Sequence, residues 1–278
     1  LLLERPVPHT TGFTSVMDNI GKVANQGLDF MVNTVNIDTK DFGWSSTLNF
    51  NYNKNEIKKL GENDEDILTG PWFISGNLVI LRKGESLGSF WGYKREGIWG
   101  EDEAEEAKAA GAGVGQPKRS KDREILGKGL PDVTGSFINN FRYKNFDLTV
   151  DLQFVLGVDV YQQFLHSTED RFGIANALSS VLSEGWTPAN TNTMIPALYS
   201  QNSQPDSHWV ANGSYLRANL IQLGYTFEPS VLKALHLGSL RAYFSVNNAF
   251  CITSKDFKGY DPEGTSQGTD QWGQNIML

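Results

Sequence analysis

The chain has 278 residues, 39% of them hydrophobic and 12% aromatic, and carries a formal net charge of −8. That acidic balance argues against a nucleic-acid partner, which requires clustered Lys and Arg, and no apolar run approaches the roughly 20 residues of a membrane helix. Cys251 is the single cysteine, so an internal disulfide and a zinc knuckle are excluded.

Residues 1–20 lack a basic stretch followed by an apolar one, so no signal peptide is visible, and Leu1-Leu2-Leu3 reads as the tail of a strand. Further chain upstream is expected. The first strand is predicted at 27–37 and the second at 43–53, joined by Asp38-Thr39-Lys40-Asp41. In the second, Trp44, Ser46, Leu48, Phe50 and Tyr52 alternate with Ser45, Thr47, Asn49, Asn51 and Asn53, a period of two that places the sets on opposite faces. Strands three and four are predicted at 77–82 and 87–99 around Lys83-Gly84-Glu85-Ser86. The fifth covers 135–143, and Lys144-Asn145 leads directly into the sixth, 146–161. There Phe146, Leu148, Val150, Leu152, Phe154 and Leu156 share one face, and Asp147, Thr149, Asp151 and Gln153 the other. The seventh and eighth are predicted at 214–227 and 240–250, where Cys251 borders an apolar strand and reads as a small packing residue.

The connections alternate in length. Short or moderate ones follow strands one, three, five and seven, and long ones (54–76, 100–134, 162–213) follow two, four and six. Outer-membrane barrels have short periplasmic turns and long extracellular loops, so the pattern predicts an all-β, antiparallel up-and-down transmembrane β-barrel. With the eighth strand running outward, the tail from Ile252 forms an outer loop without a returning strand. Because open edges cannot sit in lipid, the chain is expected to be part of a larger barrel.

Several stretches carry candidate chemistry. Gly111-Ala-Gly-Val-Gly115 follows a helix-like run at 101–110, not a strand, so it lacks the context of a phosphate-binding loop and reads as a flexible loop tip. The acidic stretches 62–66 and 261–263 carry oxygens suited to calcium but not the EF-hand spacing, and read as solvated loops, so no cofactor is assigned. His9, His166, His208 and His236 show no metal-ligand spacing, and no Gly-x-Ser-x-Gly elbow appears. Trp44, Trp91 and Trp99 lie on predicted strands and fit an interfacial aromatic girdle. Trp72, Trp186, Trp209 and Trp272 lie in predicted outer loops, where packing competes with substrate contact; together with Asn190 they are the substrate-facing candidates. The stretch 162–213 is too long for a turn and, with a short helix expected over 175–183, reads as an ordered loop facing ligand or lid.

Beyond the pattern, the sequence resembles the C-terminal barrel portion of SusC/RagA-type TonB-dependent transporters of Bacteroidota. The resemblance rests on 19–28 (NIGKVANQGL), 51–60 (NYNKNEIKKL), 84–97 (GESLGSFWGYKREG), 131–148 (PDVTGSFINNFRYKNFDL), 186–191 (WTPANT), 213–225 (GSYLRANLIQLGY) and 261–263 (DPE), in that order. It implies about eight of the 22 strands of a plugged barrel, with the plug, the TonB-interacting segment and the terminal strand lying outside residues 1–278. It also implies import of oligosaccharides or peptides, a SusD-like surface lipoprotein as lid, and energy from TonB-ExbB-ExbD. Under this resemblance Asn49, Asn51, Asp147, Asp151 and Gln153 line the lumen, and the opposite face meets outer-membrane lipid. The alternatives are a soluble or surface β-sandwich glycan-binding module or adhesin, whose apolar faces would meet in a core, and a barrel hydrolase.

Overall fold

The computed structural model describes residues 2–6, 10, 12–13, 15–19, 21–69, 77–169, 176–198, 200, 204–264 and 276–277. Two short strands, β1 (Leu2–Pro6) and β2 (Ser15–Asn19), pair with each other. Next, β3 (Gly21–Asp38) and β4 (Phe42–Leu60) form a long hairpin. A separate antiparallel sheet contains β5 (Ile67–Thr69), β6 (Val79–Leu81), β7 (Ser89–Ile98) and β8 (Pro117–Lys128), with helix α1 (Ala104–Ala109) between the last two. The chain then forms β9 (Val133–Tyr143) and β10 (Phe146–Leu156). After these come β11 (Asp159–Gln162), α2 (Gln163–Thr168), α3 (Ser179–Glu184) and β12 (Val210–Asn212). The last elements are β13 (Tyr215–Thr226), α4 (Pro229–Leu235), β14 (Arg241–Asn247), β15 (Cys251–Thr253) and β16 (Ile276–Met277).

The principal sheet is an antiparallel meander in the order β3-β4-β9-β10-β13-β14, with β15 continuing the last strand along β13. Its register keeps the two sequence patterns in phase. Leu28 pairs with Tyr52, Phe30 with Phe50, Leu48 with Phe137, Leu148 with Phe141 and Leu223, and Leu223 with Phe244. A one-residue slip at any of these pairings would put polar side chains into the apolar row. On this face Phe244 is 71% and Leu28 61% exposed, and no second sheet covers it among the described residues. A β-sandwich buries such a face; this one is open.

At the short-turn end, Phe42, Tyr143, Phe146 and Tyr225 form one cross-strand row, with Trp44 stacked on Phe141 in the next (centroids 5.8 Å). Such a belt fits a membrane–water boundary. The turn at Asp38–Asp41 is closed by Thr39, whose hydroxyl accepts from the Phe42 amide at 3.0 Å. Lys144 takes the positive φ (51°) needed to reverse the chain in two residues, and its amide donates to the Asp41 carbonyl at 2.7 Å, tying the two short turns together. Polar residues on the apolar face satisfy one another. Ser46 Oγ and Trp44 Nε1 both donate to Asn139 Oδ1 (2.7 and 3.1 Å), and Asn36 Nδ2 donates to Ser46 Oγ (2.8 Å), as backbone-like polar groups must where water is scarce.

Among the described residues the wall has six strands, with β15 extending the last, in place of the expected eight. Strands form near 77–82 and 87–99, but as β6 and β7 of the separate sheet, which lies within the connection between β4 and β9. Removing an adjacent pair leaves the parity of the remaining strands intact, so the long connections still fall at one end. The sixth strand stops at Leu156, where Gly157 turns with φ 70°, and the remainder becomes β11. Trp91 and Trp99 leave the girdle with β7; the stretch 117–128, expected as loop, forms β8.

Candidate functional site

The polar face of the wall carries a hydrogen-bonded carpet. Asn49 Nδ2 donates to Ser136 Oγ (2.9 Å), Thr47 Oγ1 to Asn33 Oδ1 (2.7 Å), Thr149 Oγ1 to Asn140 Oδ1 (2.9 Å) and Asn51 Nδ2 to Asp29. Asp147 is gripped by Arg241, whose Nε lies 3.2 Å from Oδ1; Gly224 leaves the space this pair occupies, since a Cβ there would stand 2.4 Å from the guanidinium. Near the middle of β13 a bulge leaves Asn219 out of the pairing with β10 and turns its side chain to this face, where Nδ2 donates to Gln153 Oε1 at 3.0 Å. All five expected lumen-lining residues, Asn49, Asn51, Asp147, Asp151 and Gln153, therefore share one face. Asp29, Asn49, Asn51, Ser136, Asp151 and Gln153 border a concavity of about 580 Å³, and one Asp151 carboxylate oxygen is covered without a hydrogen-bond partner.

At the end of the wall away from the short turns, the long connections fold into one module. Its core joins Leu78, Val79 and Phe90 to Tyr161, Leu165 and Trp209. Trp209 is fully buried, edge-on to Tyr161 (5.9 Å) and His166 (5.0 Å). Across this core the Arg95 guanidinium, 1% exposed, meets Asp206, 0% exposed, with Nε and Nη2 at 3.0 and 2.7 Å from Oδ2, and Nη1 donates to the Met194 carbonyl at 2.9 Å. Gly92 permits this approach: the Pro205 carbonyl, which accepts from the Tyr93 amide at 3.0 Å, would lie 2.5 Å from a Cβ at position 92.

Burial corrects part of the substrate-facing set. Trp209 is a core residue, and Trp186, 8% exposed, packs against Gly115. A fused loop module needs large apolar anchors, and these rings supply them. Asn190 holds a turn, its Nδ2 donating to the carbonyls of Glu184 (3.0 Å) and Gly185 (3.1 Å). Trp72 and Trp272 lie outside the described residues. The 111–115 loop is no free tip: Gly115 bonds the Trp99 and Ala197 backbones at 2.8 Å. The acidic stretches are engaged by protein cations, Asp64 by Lys83, Asp66 by Arg82 and Asp261 by Arg217. No group of three or more potential metal ligands occurs among the described residues. Cys251 is exposed on the polar face, opposite Arg217, not packed.

Two features had no local signal. Arg95 and Asp206 stand 111 residues apart, and Arg217 meets Asp261 across 44 residues. The Arg217 bond holds the Asp261 carboxyl below its ordinary value of 3.8. A carboxyl lowered on folding stabilises the folded segment above its unfolded pKa and loses that contribution as pH falls through the folded one. The segment around Asp261 is therefore expected to loosen below about pH 4. A nitroxide placed by Tyr260→Cys in a Cys251→Ser background should give a sharpening spectrum over that range; a line shape constant down to pH 2 would refute this.

A meander with one apolar face, one polar face, an aromatic belt at the short turns and its long connections gathered at one end is a wall of the outer-membrane type. No family model matches the sequence. The TonB-dependent receptor P3 of Formosa agariphila is 33% identical over 293 residues, covering 100% of this chain and 29% of that protein. The TonB-dependent receptor SusC of Bacteroides thetaiotaomicron is 32% identical over 273 residues, covering 95% and 26%. Among solved structures, the RagAB peptide importer in its open-open state superposes with a TM-score of 0.76 at 25% identity, over 100% of this chain and 29% of that one. The closed-closed state gives 0.75. The chain thus spans under a third of the length of the relatives it matches. It is homologous to a segment of the SusC/RagA-type TonB-dependent receptors.

Proposed function

We propose that this chain forms part of the barrel wall of a TonB-dependent importer of oligosaccharides or peptides. The observation that carries the reading is the uncovered apolar face, continuous across six strands in register and belted with aromatics at the short turns. In this reading the apolar face meets lipid and the polar face, with Asn49, Asn51, Asp147, Asp151 and Gln153, lines the lumen. Other parts of the receptor supply the closing strands, the plug and the segment that engages TonB-ExbB-ExbD. Similarity to RagAB supports a SusD-like lipoprotein over the outer module.

The test is fractionation of the full-length receptor. It is expected in outer-membrane fractions, extractable only with detergent, and migrating faster on gels before boiling than after, as closed barrels do. Recovery as a soluble protein without detergent would sink the reading. Co-purification of a SusD-like lipoprotein is expected from the same extract, and its absence would remove the partner.

A further inference from the structure

We propose that Arg217 is the positioning residue of a strap, residues 254–264, that narrows the outer mouth of the lumen; this rests on the barrel-wall reading above. After β15 the chain does not run out into solvent. Phe257 is buried against Val160 and Phe164. Gln162 then fixes the backbone twice, its Oε1 accepting from the Lys258 amide at 2.6 Å and its Nε2 donating to the Asp256 carbonyl at 3.3 Å. From that anchor the segment crosses the polar side of the wall. The Arg217 guanidinium, only 7% exposed, takes Asp261 on both terminal nitrogens, Nη1 at 3.0 Å, and lies 3.4 Å from Glu263. The Tyr215 hydroxyl donates to Glu263, and Gln153 Nε2 approaches the same carboxylate oxygen at 3.5 Å.

Register identifies the side on which this happens. Tyr215, Arg217 and Gln153 pair along β13 and β10 on the polar face, with Cys251 of β15 beside Arg217. The strap therefore lies over the lumen side of three wall strands at their outer end. One guanidinium faces two carboxylates, and the surplus negative charge is met by a phenol of the same strand and an amide of the neighbouring one, so three wall groups converge on one short segment. A bidentate, charge-assisted contact of this kind fixes geometry as well as holding on. An arginine merely hydrating the lumen wall would stay in water instead of being buried beneath a loop.

Cys251, exposed beside the clamp, reports on the opening. In cells carrying the full-length receptor, the rates of Cys251 modification by a small impermeant methanethiosulfonate and by a bulky polyethylene-glycol maleimide are compared, with Cys251→Ser as the blank. For Arg217→Ala, and for the Asp261→Asn/Glu263→Gln pair that leaves the wall untouched, the bulky reagent is expected to react about tenfold faster, equivalent to about 1.4 kcal/mol on the opening equilibrium, with the small reagent little changed. General unfolding would raise both rates together, and that outcome, or an unchanged ratio in both variants, overturns the strap while leaving the wall reading intact. Cys251 unreactive to the small reagent on cells yet reactive after denaturation overturns the lumen orientation itself, and the strap with it.

Discussion

Leu48→Arg is expected to destabilise the barrel by about 2–4 kcal/mol, whereas Thr47→Arg, one residue earlier, should cost under about 1 kcal/mol. Leu48 stands near the middle of β4 on the apolar face, paired with Val32 and Phe137. Placed there, the charge faces hydrocarbon and must snorkel or thin the bilayer. Thr47 points to the other face, toward Asn33 and Ile138, where water and amides accept it. Denaturant titration of the full-length receptor refolded into lipid vesicles measures both. Equal losses for the two variants would mean that neither face meets lipid.

Arg95→Ala should cost about 3–5 kcal/mol in local stability of the outer module, and Asp206→Ala as much, because each leaves its partner's charge buried and uncompensated. Arg119, 3.3 Å from Asp206, is the nearest second cation, but it is itself partly exposed and does not span the core as Arg95 does. Replacing both buried partners with Met and Leu should recover most of the loss, since the penalty lies in the orphaned charge and not in the missing attraction. Amide exchange across 77–128 and 204–213 is the measurement. Both stretches should lose protection together in the single variants, because one core and one ion pair hold them. Loss confined to the mutated stretch would show that the loops are independent.

How much was legible beforehand depends on the range of the interaction concerned. Alternation at Phe146–Leu156 and at Trp44–Tyr52 was enough to mark those two wall strands, because side chains on a strand divide between faces with a period of two regardless of what lies opposite. The turn residues Asp38–Asp41 and Lys144-Asn145 marked the short connections for an equally local reason. Alternation could not distinguish β7 from a wall strand. Its Phe90 is buried by Tyr161 of a distant connection, and an apolar residue reads the same whether lipid or protein covers it. The loop tryptophans left packing and substrate contact open on the same ground, and burial decides for packing at Trp209, the centre of a core, and at Trp186. Arg95, Asp206, Arg217 and Asp261 looked like ordinary solvated charges because burial and pairing are properties of segments brought together from afar.

The sequence alone thus determined that the chain forms alternating strands, which face of each wall strand is apolar and at which end the long connections gather, all consequences of nearest-neighbour geometry along a strand. Tertiary structure alone decided that, among the described residues, six strands and not eight build the wall, that two long loops share one core, and that the segment 254–264 turns back over the polar face. Those outcomes depend on where apolar and charged groups far apart in sequence find partners. Desolvation penalises an unpaired charge wherever it is buried, but only the assembled fold supplies the partner.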